Sequence, residues 1–338
     1  MASKITYFTA GDNPNVDAGC PSENESLTLA YRTYGSPGNP AILIPTCFSG
    51  KINSTLSFLY DSDESALKGF YVVVCGLLGG SESSSPSNAP PGLSGNRFPK
   101  ISYEDNIHLQ YQLCHALGIK KLAAYIGFSM AGQQGYYMAA MYPDFAQRLV
   151  VLASSAQTSW HNKSFLEGPK AALESSLDWH GGRYTKAAMV GTRAFARVYS
   201  TWALSPAWFR QEQWKRLGCS SVEDYLVKFW GQGMGSWDAH DLMCMMQCWR
   251  RGDISDHGPI PGDLPAALAS IQAKVLLMPS RTDAYFPPED SLEELKHLKL
   301  GELKVIESAW GHLAGGEWGP PEDQEYIKKE VQRFLSTS

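Results

Sequence analysis

The chain has 338 residues, 43% of them hydrophobic and 19% charged, and a formal net charge of −5. That length and apolar content suit one large α/β domain or two ordinary ones, and they argue against disorder. The absence of a basic run argues against nucleic acid or an anionic membrane as the main partner, and no stretch of about 18 apolar residues offers a membrane span. The opening MASKITYFTAGDNPN lacks the charged-then-apolar pattern of a secretory leader, so a cytoplasmic protein is expected. Seven cysteines, an odd and scattered set, read as reduced thiols rather than a disulfide framework.

In chain order, apolar runs at 41–48, 70–78, 122–128, 148–154, 274–280 and 303–308 read as buried parallel strands. Amphipathic segments lie between them. In 102–119, for example, Ser102 serves as N-cap, Glu104 and Asp105 suit the first turn, and Gly118 suits the end. The Ser- and Pro-rich stretch 79–92 follows a strand and reads as a rim loop beside a pocket. This alternation predicts crossover units and a mostly parallel sheet flanked by helices.

From about 157 to 270 the pattern turns helical and aromatic, holding eight of the ten tryptophans. It reads as a helical cap, with 1–156 and 271–338 forming one interrupted core. The tryptophans point to an apolar pocket under that cap. Cys244 and Cys248, four apart and near His240, read as a Met/Cys core stripe, and no metal site is expected.

The chemistry concentrates at LAAYIGFSMAGQQ (122–134), where a strand runs into Gly127, Phe128, Ser129, Met130, Ala131 and Gly132 before a helical segment ended by Pro143. A serine on such a strand-to-helix turn exposes its hydroxyl, and small neighbours let strand and helix backbones pass close together. The hydroxyl needs a base, and the base needs an orienting acid. Asp283 in SRTDAYFPP and His312 in ESAWGHLAGG both follow later strands, in the order that serine, acid and base require. His108 and His115 precede the turn within a predicted helix, His161, His240 and His257 belong in or beside the cap, and His180 and His297 read as solvated. The oxyanion donors expected are the backbone N–H groups of Met130 and of Phe48, the latter in PTCFSG (45–50).

These motifs resemble the homoserine O-acetyltransferase-like branch of the α/β-hydrolases. LTLAYRTYGSPG (27–38) is similar to that family's opening hairpin, and LLGGSESSSPS with RFPKISYEDNIHLQ to its loop and helix after the fourth strand. GFSMAGQQ is similar to its G-x-S-M-G-G-x-Q turn, TDAYFPP to its acid loop, and VEDYLVKFWGQG with HDLMCMMQCWRRGDI to its cap helices. The resemblance implies an α/β-hydrolase fold with an inserted helical cap, the triad Ser129–His312–Asp283, an acyl-enzyme, and a homodimer through the cap helices. Members acting on homoserine carry an aspartate directly after the catalytic histidine, and here that position is Leu313. They also carry an Ala-Arg pair in the cap with a tyrosine seven residues on. Ala196–Arg197 keeps the pair, whereas Leu204 replaces the tyrosine, and CFSG shortens the oxyanion loop. An apolar Leu313 cannot hold an ammonium group, so homoserine is not the expected substrate. Substrate contacts are expected from Cys47, Leu313 and Arg197, the last as a carboxylate clamp.

The expected function is therefore a serine-dependent acyl hydrolase, an esterase or thioesterase for a mid-sized, largely apolar small molecule, with a specialised natural-product pathway as one setting. It needs no cofactor. The alternatives are an O-acetyltransferase using acetyl-CoA as co-substrate and an alcohol other than homoserine, carbon–carbon bond chemistry with the same triad, and a non-catalytic binding protein on this scaffold.

Overall fold

The computed structural model describes residues 3–9, 27–62, 64–80, 82–184 and 186–337. Within them lie eight strands, β1 (Thr6–Thr9), β2 (Thr28–Tyr34), β3 (Ala41–Pro45), β4 (Tyr71–Cys75), β5 (Leu122–Phe128), β6 (Arg148–Leu152), β7 (Lys274–Met278) and β8 (Gly301–Leu303). They form one sheet in the order β1-β2-β4-β3-β5-β6-β7-β8. The β1–β2 and β2–β4 pairs are antiparallel and all the others parallel. The central strands β3 and β4 are buried throughout, which is why they read as unbroken Val/Ile/Leu runs.

The last strand begins earlier than 303–308, at Gly301, and its pairing with the β7 side continues past Leu303: Lys304 N–H donates to the Leu277 carbonyl at 2.8 Å, Ile306 N–H to the Pro279 carbonyl at 2.9 Å, and a bridge joins Ser280 to Ile306.

Helices α1 (Tyr103–Ala116) and α2 (Met130–Met141) follow β4 and β5. Ser102 caps α1 through a reciprocal box: its hydroxyl accepts from Asp105 N–H, and the Asp105 carboxylate accepts from Ser102 N–H at 2.8 Å. Gly118 then turns the chain with φ +76°.

Between β6 and β7 the described residues make six α-helices: α3 (Trp160–Glu174), α4 (Met189–Ala203), α5 (Pro206–Arg210), α6 (Val222–Tyr225), α7 (Ala239–Arg250) and α8 (Leu264–Ser270). A π-helical turn, Leu226–Gly231, continues α6. Helices α9 (Pro288–Leu295) and α10 (Pro321–Ser336) complete the set.

Polar ties hold this excursion to the sheet. Ser205 Oγ donates to the Ala309 carbonyl at 2.6 Å, and Tyr285 O–H donates to the Tyr199 carbonyl at 2.5 Å. Asp241 of α7 accepts from Ser87 N–H and Oγ–H at 2.9 and 2.6 Å, joining the helix to the loop after β4. Most of its tryptophans are packing residues. Trp208 and Trp249 are fully buried, whereas Trp160 is 84% exposed. The aromatic content of the segment therefore serves its attachment as well as the lining of a pocket, which Tyr199, Phe229, Trp230 and Trp237 share.

Candidate active site

The parallel strands β3, β5, β6 and β7 deliver their carboxyl ends to one edge of the sheet, where open α/β sheets gather their functional loops. Ser129 follows β5 there with φ +57° and ψ −128°, a conformation that L-residues rarely adopt. Its N–H still extends the sheet, donating to the Leu152 carbonyl at 2.9 Å. The small residues around it have a steric cause. A Cβ on Gly127 would lie 2.2 Å from the Ala131 carbonyl oxygen, and one on Gly132 would lie 2.5 Å from Ser154 Cβ.

The two glutamines that follow are structural keys of the turn. Gln133 Oε1 accepts from Tyr103 O–H at 2.7 Å. Gln134 Nε2 donates to the Thr46 carbonyl at 3.3 Å, while its Oε1 accepts from Gln110 at 2.6 Å. The Gln134 link fixes the loop after β3 against the start of α2.

His312 sits on a 3-10 turn, Gly311–Gly315, entered through Gly311 at φ +55°. A Cβ on Gly311 would approach the Ala203 carbonyl oxygen to 2.5 Å, so that position demands glycine. The imidazole is buried, stacked on Phe128 at 4.8 Å between ring centroids and edge-on to Tyr285 at 4.9 Å. Its Nε2 lies 2.9 Å from Ser129 Oγ, and its Nδ1 lies 2.7 Å from Asp283 Oδ2. The other Asp283 oxygen accepts from the N–H groups of Tyr285 at 2.7 Å and Phe286 at 3.1 Å. With a carboxylate as its partner, Nδ1 carries the proton and Nε2 accepts from the serine hydroxyl. Thr282 couples the two loops: its hydroxyl donates to the Ser308 carbonyl and accepts from Gly311 N–H.

Three residues far apart in sequence thus form one hydrogen-bonded line, and a cavity of about 510 Å³ opens on it. Phe48, Cys47 and Leu313 line that cavity beside Ser129 and His312. Burial pushes the Cys47 thiol well above its ordinary range, so it remains protonated. The turn holding Phe48 is tight, with Ser49 at φ +51° and Gly50 N–H donating to the Cys47 carbonyl at 3.0 Å. Met130 opens α2, so its N–H belongs to the positive end of a 12-residue helix. From the other side Phe229, Trp230 and Trp237 close the cavity.

Arg197 does not take the place expected of it. On α4, Phe195 and Tyr199 face inward, and a residue two positions from each points away from them. The Arg197 guanidinium is 44% exposed and forks onto Glu223 at 3.0 and 2.5 Å, outside the cavity wall. It is a surface ion pair, not a carboxylate clamp. Sequence reasoning also missed Glu317, a carboxyl in the cavity wall. The signal was present in LAGGEWGP, where one acid interrupts an otherwise apolar, glycine-rich turn.

Among the described residues, no cluster of three His, Cys, Asp or Glu side chains is placed to hold a metal ion.

Comparison with known proteins gives a consistent answer. Residues 40–317 match the model of the alpha/beta hydrolase fold family. The chain is 30% identical over 308 residues to an ethyl acetate hydrolase of Pseudomonas veronii, covering 90% of this chain and 87% of that one. It is also 30% identical to a homoserine O-succinyltransferase of Alkalilimnicola ehrlichii, covering 87% and 86%. The crystal structure of the acetyl esterase MekB superposes with a TM-score of 0.91 at 28% identity, over 99% of this chain and 97% of that one. The chain belongs to the α/β-hydrolase fold family, in the branch that holds ester hydrolases and homoserine O-acyltransferases side by side.

Proposed function

We propose that this protein is a serine-dependent carboxylic ester hydrolase acting on a small, largely apolar ester. The observation that carries this reading is the Ser129–His312–Asp283 line at 2.9 and 2.7 Å, opening into an aromatic-walled cavity. Ser129 Oγ attacks the ester carbonyl while His312 Nε2 takes its proton, and Asp283 holds the imidazolium through Nδ1–H. The N–H groups of Met130 and Phe48 receive the oxyanion. The imidazolium then protonates the departing alcohol, leaving an acyl-enzyme. A water attacks that acyl group with His312 again as base, releasing the acid and restoring Ser129. No group beyond these side chains and water is needed.

Acetyl transfer from acetyl-CoA to an alcohol is the second reading, supported by the resemblance to a homoserine O-succinyltransferase. Leu313 at the cavity wall and Arg197 outside it weigh against an amino-acid acceptor. A fluorophosphonate should label Ser129 and fail to label Ser129→Ala, and an unlabelled wild type would end both readings. CoA release from acetyl-CoA that depends strictly on an added alcohol would replace hydrolysis with transfer.

The protein is further read as a cytoplasmic homodimer. The free thiols, five of the six described being buried, support the compartment, and the exposed Trp160, Leu177 and Val190 on the α3–α4 segment support the interface. Light scattering in solution at micromolar concentration tests the dimer.

A further inference from the structure

The reaction cavity changes character with depth. Its floor is buried and mostly apolar, with Cys47, Phe48, Tyr199 and Leu313 around Ser129 and His312. Its rim is exposed and polar, and two lysines stand there, Lys51 and Lys228.

The two are not equivalent. Lys228 Nζ is paired with Asp224 Oδ1 at 2.8 Å across one helical turn, so its charge is already matched. Lys51 makes no ion pair among the described residues. What its ammonium touches is a ring, with Nζ 4.1 Å from the Trp237 centroid. Lys51 belongs to the turn after β3, on the sheet side, whereas Trp237 directly precedes the N-cap of α7 in the cap. Both residues line the cavity, from opposite walls. An ammonium carried by one wall and resting on a ring of the other stands where the walls face each other, not behind either. The ring attracts the cation without taking up all three of its N–H donors.

The stem of Lys51 is fixed as well. Its carbonyl accepts from the N–H groups of Ser54 and Thr55 at 3.1 and 2.9 Å and from the Thr55 hydroxyl at 2.9 Å. It also follows Phe48, the residue assigned to the oxyanion, within the same turn, so the charge and the ester carbonyl share one reference point. Glu317, the one acid lining the cavity among the described residues, forms no ion pair with either lysine, and burial raises its pKa.

We propose that Lys51 is a specificity-determining residue that binds a carboxylate at the far end of the substrate. The preferred esters are then monoanions, with the ester group in the apolar floor and the carboxylate at the rim. The proposal rests on the ester hydrolase reading and names the substrate class more closely. A neutral chain gains nothing from an unpaired ammonium, and a cationic chain is repelled by it. A cavity of about 510 Å³ has room for an ester and a short chain between the two sites. Because the pair forms at an exposed rim, its effect is modest and screened by salt.

The test uses two series that set a carboxylate at increasing distance from the ester. One runs from 3-acetoxypropanoate to 6-acetoxyhexanoate, the other through the monoethyl esters of succinate, glutarate and adipate, and each compound is paired with its neutral primary carboxamide. At low ionic strength, wild-type kcat/KM for the carboxylate should exceed that for the carboxamide about fivefold at the best length in at least one series. That ratio should fall toward one in about 0.5 M sodium chloride. In Lys51→Met it should fall to about one without added salt, in Lys51→Arg it should survive, and Lys228→Met should keep most of it. Ratios at or below one at every length, a ratio unchanged in Lys51→Met, or a ratio lost only in Lys228→Met overturn the proposal. Carboxamide esters hydrolysed by wild type and not by Ser129→Ala would leave the function standing while the Lys51 assignment fell. No hydrolysis of either member of any pair would remove the reading on which the assignment rests. Matching melting temperatures across the variants show that each ratio is read on folded protein.

Discussion

The two sides of the reaction cavity are built on different principles. On the sheet side the polar atoms of the triad are spoken for: Asp283 accepts three hydrogen bonds, both nitrogens of His312 are engaged, and Ser129 is held at φ +57° by backbone contacts. The cap side is held by rings. Phe229 meets Trp318 at 5.2 Å, Trp230 meets Tyr199 at 5.9 Å, and the turn that presents Phe229 and Trp230 is π-helical. π-Turns of this kind recur at functional sites, because the extra residue re-aims side chains at a local cost. Directional bonds fix the chemistry, and shape with a few polar contacts selects what enters. The two sides should therefore fail differently when changed.

The largest effect is expected on the sheet side. Asp283→Asn keeps the shape of the acid but removes the charge that sets the His312 tautomer, so kcat for a simple ester should drop by about 10⁴. Steady-state kinetics would check this, and a loss under tenfold would break the contrast. Stability should follow the same divide. Gly127→Ala forces a Cβ to 2.2 Å from the Ala131 carbonyl oxygen and should cost roughly 3 kcal/mol or more. Gly168→Ala, inside α3 of the cap, brings its Cβ only to 3.3 Å from Val198 Cγ1 and gains helix propensity, so it should stay within about 1 kcal/mol of wild type. Urea midpoints of the pair would read both.

Two buried carboxyls sharpen the comparison through pH. Glu294, beneath the sheet side, accepts from Tyr136 O–H of α2 and Ala156 N–H, with Asp290 nearby, and burial pushes its pKa up to about 8. Asp241, tying the cap to the loop after β4, faces Ser85, Ser87 and Asp238, and burial raises it to about 6. A raised carboxyl contributes fully below its unfolded value, and that contribution is lost as pH climbs through the folded one. The window runs from 4.5 to about 8 for Glu294 and from 3.8 to about 6 for Asp241. Relative to Glu294→Gln, wild type should lose stability on the order of a few kcal/mol between pH 5 and 8. The corresponding difference from Asp241→Asn should be smaller and level off near pH 7. Urea titrations at pH 5, 6, 7 and 8 measure both, and a Glu294→Gln difference that is flat across the series would remove Glu294 from this account.

What could be read from the sequence follows the same divide. Ser129, Asp283 and His312 were legible because each lies on the turn or loop that follows a strand, and strand order constrains where such loops meet. The helix from Ser102 was legible because its cap is local chemistry. The last strand was only partly placed, because LKVIES covers the pairing that runs on to Ile306 while the regular ladder with β7 begins at Gly301, ahead of any apolar run. The tryptophans pointed to a pocket that Trp230 and Trp237 do line, but not to which of them pack instead, since burial against a core and burial against a ligand leave the same composition. Glu317 left a trace in LAGGEWGP, a single acid in an apolar turn, but its place in the cavity wall follows from how that turn packs, which no local pattern states.

The smallest expected effect is at Arg197, and it is where sequence reading went furthest astray. The Ala196–Arg197 pair matched the family's pattern, but a pair motif does not state which way a helix is rotated. Phe195 and Tyr199, four apart and both buried, already define the inner face of α4, and Arg197 midway between them lies about 200° around the helix from each. Its bond to Glu223 is solvent-exposed, and such pairs contribute little. Arg197→Ala should leave kcat/KM within about twofold of wild type for neutral and carboxylate-bearing esters alike. A selective loss on the carboxylate-bearing member would mean that the cap rotates α4 toward the cavity when substrate binds, and the contrast between a fixed sheet side and a shape-selecting cap side would then have to include motion of the cap.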